Sequence, residues 1–303
     1  MQSKGDQIET MVGDWTIGVI GGSGLYAMDA LEDAQWIAVD TPWGAPSDEL
    51  LIGWIEGVKF VFLPRHGRGH RIPPTEINNR ANLDALKRAG CTDLVAVSAV
   101  GSLREELAPG RFVLVDQYID RAMARAGSFF ETGLVAHVSM ADPTCPRLSA
   151  LAAGAAETAG ADVTRGGCYV AIEGPSFSTR AESHAYRGQG GDVIGMTGMP
   201  EAKLAREAEL PYASICMVTD WDCWRDERAA VDLAEIVAQL HANAGMARRI
   251  IVELAKSLPK TREPSPIDTA LDGAIMTAPE ARDPALIARL DAICGRALGA
   301  SPL

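Results

Sequence analysis

The sequence has 303 residues, 47% of them apolar and 22% charged, with a formal net charge of -12 at pH 7. That is enough chain for one large domain or two small ones around a sizeable core, and the acidic balance excludes a broad surface for nucleic acid or anionic membrane while permitting a local anion pocket. No apolar run reaches the length of a membrane span, residues 1–11 lack the apolar core of a secretory signal, and the six cysteines (Cys91, Cys145, Cys168, Cys216, Cys223, Cys294) stand singly as reduced thiols do, so a cytoplasmic protein is expected.

Residues 1–13 read as a flexible arm. A buried strand at 15–20 runs into Gly21-Gly-Ser-Gly-Leu-Tyr26, where clustered glycines let backbone N–H groups turn toward an anion and the Ser23 hydroxyl adds a donor. Gly22-x-Gly24-x-x-Ala27, with Asp40 beyond it, also fits a dinucleotide fingerprint, although only a short helical stretch follows Tyr26. Strands at 51–55 and 60–63 flank a turn at Glu56-Gly57. The second runs into Pro64-Arg-His-Gly-Arg-Gly-His-Arg71, a basic crowd in an acidic chain. An arginine fork matches two phosphate oxygens at once, which makes this loop a candidate anion site. Next comes a helix with Thr75 as N-cap and Ile77, Ala81, Leu83 and Leu86 as its buried stripe, stopped by Gly90.

A core strand at 94–100 carries Ser98 near its carboxyl end, and another lies at 112–115. Residues 121–146 have no period and read as a long irregular connection with His137 on its surface. A helix near 147–159 and a strand at 168–172 lead to Glu173-Gly-Pro-Ser-Phe-Ser-Thr-Arg180, after which Ala181-Glu182 open a helix. A short strand at 192–196 meets Thr197, and Pro200 sits in the first turn of a helix reaching about residue 208. Residues 228–256 are helical and 257–266 form a Pro-rich linker. In the tail, Leu286, Leu290 and Ile293 make a helical stripe that fits against this subunit or another. The expected division is one domain at 14–257 and a linker with a helical extension at 258–303.

Residues 213–218 are apolar and then break into Thr219, Asp220, Trp221 and Asp222, as a buried strand does when it ends at a cleft. With strand geometry maintained, both aspartates face one side, walled by Trp221 and Trp224. Three readings fit. The first is a pair of turn or capping aspartates. The second is a divalent-metal site, which needs more oxygen ligands than two and finds no nearby His or Glu cluster. The third is recognition of a heterocycle with several N–H donors, since ionised carboxylates only accept. Cys223 has no neighbouring His–base pattern that would make it a nucleophile. Strands ending in polar clusters at Ser23, Arg65–His66, Ser98, Thr197 and Asp220–Asp222 alternate with helices, which implies an α/β fold with a mixed, largely parallel sheet flanked by helices.

Seven motifs in order resemble the S-methyl-5'-thioadenosine phosphorylase branch of the trimeric purine nucleoside phosphorylase family. They are Gly21-Gly-Ser-Gly-Leu-Tyr26, Arg65-His-Gly-Arg68, Asn79-Arg-Ala-Asn82, Gly101-Ser-Leu-Arg-Glu-Glu106, Glu173-Gly-Pro-Ser-Phe-Ser-Thr-Arg-Ala-Glu-Ser183, Gly195-Met-Thr197 and Thr219-Asp-Trp-Asp-Cys-Trp224. The resemblance covers roughly residues 15–255. It implies the phosphorylase-type α/β fold, a homotrimer, and transfer of a 5-methylthioribosyl group from adenine to phosphate. Phosphate is then a co-substrate, with no cofactor or metal expected and no nucleic-acid or membrane partner.

On the family pattern, Ser23, Arg65, His66, Ser98, Ala99 and Thr197 fall on the phosphate site and Met196 beside the ribose. Asp220 and Asp222 fall on the adenine contacts, with Phe177 and Ser178 next to the base. Leu233 lines the 5' pocket, and His137 resembles a residue donated by a neighbouring subunit. Asp220 is the expected general acid at N7, provided burial and the neighbouring carboxylate raise it above ~3.9. Gly198-Met199 resembles instead the branch that takes 6-oxopurines. A phosphorylase preferring methylthioinosine or inosine is therefore the alternative within the fold. A dinucleotide-dependent oxidoreductase and a non-catalytic nucleoside-binding protein are the alternatives outside it.

Overall fold

The structure, a computed structural model, describes residues 15–22, 24–26, 28–225 and 233–299, with the backbone alone for 233–236. In chain order the strands and helices are β1 (Thr16–Gly21), β2 (Glu32–Ile37), β3 (Leu50–Ile55), β4 (Val58–Pro64), α1 (Asn79–Arg88), β5 (Asp93–Ser102), β6 (Phe112–Val115), β7 (Gln117–Asp120), α2 (Pro146–Thr158), β8 (Val163–Arg165), β9 (Cys168–Ala171), α3 (Arg180–Gly188), β10 (Val193–Gly195), α4 (Gly198–Glu207), β11 (Tyr212–Asp220), α5 (Leu233–Ser257), α6 (Pro284–Arg289) and α7 (Asp291–Cys294). The strands form one mixed sheet in which β1, β4, β5 and β11 are joined in parallel, and so are β7, β9 and β10. The β2–β3–β4 ribbon and the β5–β10 and β6–β11 pairs are antiparallel.

The pleat sorts the core. Along β11, Ala213, Ile215 and Met217 pack with α2 and α5, while Tyr212, Cys216 and Val218 pack with α1, α4 and the tail. Along β5, Val95 and Val97 join the first cluster and Leu94, Ala96 and Val100 the second. This is the period-two alternation of a strand buried on both faces, and it explains why both sequences read as nearly continuous apolar runs.

β5 also creates the cleft. On one edge it pairs with β11 from Leu94 to Gly101. On the other it pairs with β1 only as far as Ala96, and with β10 only from Gly101. The edge between them, Val97 to Val100, is left open in the fork where β1 and β10 diverge. Gly195, at the end of β10, is needed there: a Cβ would lie 2.1 Å from the Tyr169 hydroxyl.

Several expectations are revised. Residues 28–31 make a turn and then lead into edge strand β2, not a helical stretch. With no helix between β1 and β2 among the described residues and Asp40 exposed, the dinucleotide reading loses its structural basis. Thr75 lies in a 3-10 turn, and the cap of α1 is Asn78, whose side chain accepts from Ala81 N–H. β7 and β8 were too short to carry a sequence pattern. Within 121–145 the chain is irregular, as expected. The tail packs on this chain: Leu271, Leu286, Leu290 and Ile293 are at most 3% exposed and belong to the α1–α4 cluster.

Candidate active site

The fork opens into a cavity of about 410 Å³. Gly22, Gly24, Arg65, His66, Ser98, Ala99, Thr197, Met196, Phe177, Ser178, Asp220 and Asp222 line it, with Asp220 set beside Gly101, three residues along β5 from Ser98. The strand ends bring these groups together, as the carboxyl edge of a parallel sheet does. Ser98 sits on the α4 face of β5, and its hydroxyl meets that of Thr197 at 3.1 Å. Thr197 N–H in turn donates to the Tyr169 hydroxyl at 3.3 Å.

Arg65 revises the expectation of a free fork. Its Nε–H and one Nη2–H donate to the two oxygens of Glu201 at 2.8 and 3.0 Å, and its other contacts are the carbonyls of Val97 and Ile20. At 2% exposed it is a buried cation, which requires a counter-charge inside the protein. Only one Nη1 hydrogen lacks a partner among the described residues. Glu201 also accepts from the Tyr212 hydroxyl at 2.9 Å, so Arg65 reaches the cavity as part of a rigid triad. His66 holds Nδ1 2.9 Å from Ile72 O and stacks on His70 with ring centroids 4.3 Å apart. Because a carbonyl only accepts, Nδ1 carries the hydrogen. Burial, and then the Arg65 charge, push His66 down to about 4.

The acid end is asymmetric. Asp220 Oδ1 accepts from Asp222 N–H and Oδ2 from the Thr219 hydroxyl, each at 2.7 Å. Asp222 Oδ2 is fully buried. Burial raises both carboxyls above the usual aspartate value. Hydrogen bonds from Thr219 and the Asp222 N–H hold Asp220 back; those from the Ser183 hydroxyl and the Cys223 N–H hold Asp222 back, while the Asp220 charge adds to its rise. The two face one cavity, but not through the pleat: β11 ends at Asp220 and Asp222 turns back with φ 51°. Such a conformation is one Asp tolerates better than most residues. The expected tryptophan wall is absent. Trp224 donates to Ser102 O at 2.8 Å and stacks under Arg187, and the cavity is walled by Phe177, Ile172 and Ile194. Cys223 donates to Ser178 O, and burial raises its thiol, so it is no nucleophile here.

Ser23 lies outside the described residues, and so does the side chain of Leu233, the first residue of α5. His137 is exposed and away from the cavity, its N–H bonded to Ala274 O. Arg68 and Arg71 do not reach the cavity: they hold Asp48, Glu49 and Ser47 O. Sequence reasoning missed Glu201 and Tyr212, whose role depends on burial, and also His241, which lines the cavity with His70 of the basic loop. It missed Arg125, which lies in a segment without period. No group of three or more His, Cys, Asp or Glu positioned for a metal occurs among the described residues.

Comparison with known proteins gives a consistent set of relatives. Residues 16–256 match the family described as the Phosphorylase superfamily. The chain is 60% identical over 284 residues to the S-methyl-5'-thioadenosine phosphorylase of Cereibacter sphaeroides, covering 93% of this chain and 98% of that one. It is 55% identical to the enzyme of the same name from Bradyrhizobium diazoefficiens, with the same coverage. Among solved structures, a methylthioadenosine phosphorylase sourced from an antarctic soil metagenomic library superposes with a TM-score of 0.87 at 45% identity, covering 94% of this chain and 99% of that one. The methylthioadenosine phosphorylase of Schistosoma mansoni in complex with adenine gives 0.76 at 39%, covering 80% and 91%.

Proposed function

The chain belongs to the phosphorylase superfamily, and from that premise we propose that it cleaves S-methyl-5'-thioadenosine with inorganic phosphate, giving adenine and 5-methylthioribose 1-phosphate. The activity serves methionine and purine salvage and needs no cofactor. The observation that carries this reading is the pair of acids Asp220 and Asp222, both raised by burial, in one cavity with the Ser98–Thr197 hydroxyl pair. Carboxylates accept hydrogen bonds, so an acid pair lining a cavity suits a donor brought by a ligand. The exocyclic amine of adenine is such a donor.

In this reading Ser23, Ser98 and Thr197, with the free Arg65 hydrogen, His66 and the Ala99 N–H, hold phosphate, and Met196 flanks the ribose. Phe177 stacks beside the base next to Ser178, Leu233 faces the 5' group, and His137 serves a neighbouring subunit's site in a homotrimer. A phosphate oxygen bonds to C1' as the C1'–N9 bond breaks, and the bonding pair leaves on the purine. Asp220 delivers a proton to N7, and the hydrogen lost by hydrogen phosphate restores it, so atoms and charge balance. Fixed donors around the dianion supply preorganised stabilisation of the cationic sugar.

Adenine release from methylthioadenosine, followed with and without phosphate, tests this. Phosphate-dependent release is expected. Its absence with retained nucleoside binding would instead identify a binding protein. Asp220→Asn should lower kcat by about 10²–10⁴ with little change in the phosphate KM, and near-normal turnover removes the acid role. Sedimentation should give three times the 32.1 kDa chain mass; a monomer at assay concentration contradicts the trimer and the role of His137.

A further inference from the structure

We propose that Arg125 is the positioning residue that fixes the spacing between the two halves of the cavity. The proposal rests on the phosphorolytic reading above. Arg125 comes from the irregular connection between β7 and α2, and its side chain is only 2% exposed. All five guanidinium hydrogens have acceptors. Nε–H donates to Glu173 Oε1 at 3.0 Å, Nη1 to the carbonyls of Met196 and Met199 at 2.6 and 2.9 Å, and Nη2 to the carbonyls of Glu173 and Ile172 at 2.5 and 3.4 Å.

The acceptors belong to two segments that no strand ladder ties together. β9 and β10 pair only to Ala171 and Gly195, with one further bond from Ile172 N–H to Gly195 O. Beyond that point the chains part. One goes on to Phe177 and Ser178, the other to Met196 and Thr197, and all four line the cavity. Arg125 sits at the parting and holds carbonyls on both branches. The Met196 and Met199 carbonyls bracket Thr197, so the guanidinium sets where the Thr197 hydroxyl stands relative to Ser98. Glu173 is held in place as well, its Oε2 accepting from Ala124 N–H at 3.0 Å.

With no hydrogen left over, Arg125 touches neither nucleoside nor phosphate and acts only through the residues it holds. Its buried charge does reach the anion end, where it is one of the charges disfavouring protonated His66. Lysine is no substitute. It offers three hydrogens from one point, whereas the acceptors surround a plane. A displacement of about 1 Å between reacting groups can cost roughly 100-fold in rate.

The test compares wild type with Arg125→Lys and Arg125→Ala, reading kcat, both KM values, the melting midpoint and amide hydrogen exchange at 173–179 and 196–199. We expect Arg125→Lys to melt near wild type yet lose at least ~30-fold in kcat/KM, with faster exchange in both segments. Guanidinium added to Arg125→Ala should restore part of kcat, while giving nothing to Asp220→Asn. Wild-type kinetics and unchanged exchange in Arg125→Lys overturn the proposal, as does an Arg125→Ala loss that follows the folded fraction and ignores guanidinium. Should wild type itself release no adenine, the phosphorolytic reading fails, and the exchange data alone still decide whether Arg125 couples the two segments.

Discussion

Asp220 and Asp222 are the same residue type two positions apart, and their surroundings give them different work. Asp220 accepts from the Thr219 hydroxyl and the Asp222 N–H, whereas Asp222 is held by the Ser183 hydroxyl and the Cys223 N–H. On the proposed reading Asp222 recognises the amine, and Asp220, whose carboxyl burial raises, delivers the proton. A 6-oxopurine would set a carbonyl oxygen against the Asp222 carboxylate, acceptor against acceptor. Asp222→Asn supplies an N–H at that place. It should lower kcat/KM for methylthioadenosine by about 10²-fold or more while raising it for methylthioinosine. Side-by-side assays check this, and an unchanged ratio means that Asp222 does not read the amino edge. The residue types in this pair were legible in the sequence, but their geometry was not. The pleat argument placed both on one side, whereas the structure does so through a left-handed turn at Asp222. Arg65 shows the same limit. Its chemistry suggested a fork on phosphate, but a fork buried this deeply is taken by Glu201, and burial of a particular arginine is not written in local sequence.

At the scale of elements, the irregular connection after β7 was recognised as a segment without period, and for that reason its anchoring was invisible. Its 134–137 stretch bonds to the tail through a single bridge at Ala136 and Ile275, and its 128–129 stretch is fixed by a side chain from α4. Glu207, near the end of α4, accepts from the Ser128 hydroxyl at 2.8 Å and from Phe129 N–H at 2.7 Å. Burial raises its carboxyl to about 7; the two hydrogen bonds and the Lys203 charge oppose the rise. Lys203 is itself held by Asp120 at 2.5 Å. A glutamate raised in the folded state favours folding while neutral. Its contribution is full below the unfolded value near ~4.3 and is lost as pH rises through about 7. Glu207→Gln, permanently neutral and still able to accept from Phe129 N–H, should remove that loss. At pH 8 it should be more stable than wild type by roughly 2–3 kcal/mol, with the gap closing by pH 5. Thermal melts across pH 5–8 measure it, and parallel curves for the two proteins would mean that Glu207 does not titrate in this window.

The whole molecule depends on a core that the tail completes. The stripe of Leu286, Leu290 and Ile293 has no address in the sequence, because a period fixes which side of a helix is apolar and says nothing of what covers it. The structure seats it on α1 and the α4–β11 turn. Leu290 and Ile293 are 0% and 1% exposed and share a cluster with Leu83 and Leu86. The seat is pinned by charge as well: Arg88 meets Asp291, and Arg296 reaches Glu209, which also accepts from Leu271 N–H at 2.9 Å. Glu209 precedes β11, the strand that ends in Asp220, so the tail braces the start of the strand whose other end carries the acids. Truncating a buried leucine costs about 2–5 kcal/mol. Leu290→Ala should therefore lower the melting midpoint of the whole chain by roughly 5 °C or more in a single transition, with kcat at 25 °C little changed because the side chain lies far from the cavity. An early melting step that leaves the main transition in place would show the tail to be a separate unit. An unchanged midpoint would show that the tail does not contribute to this core.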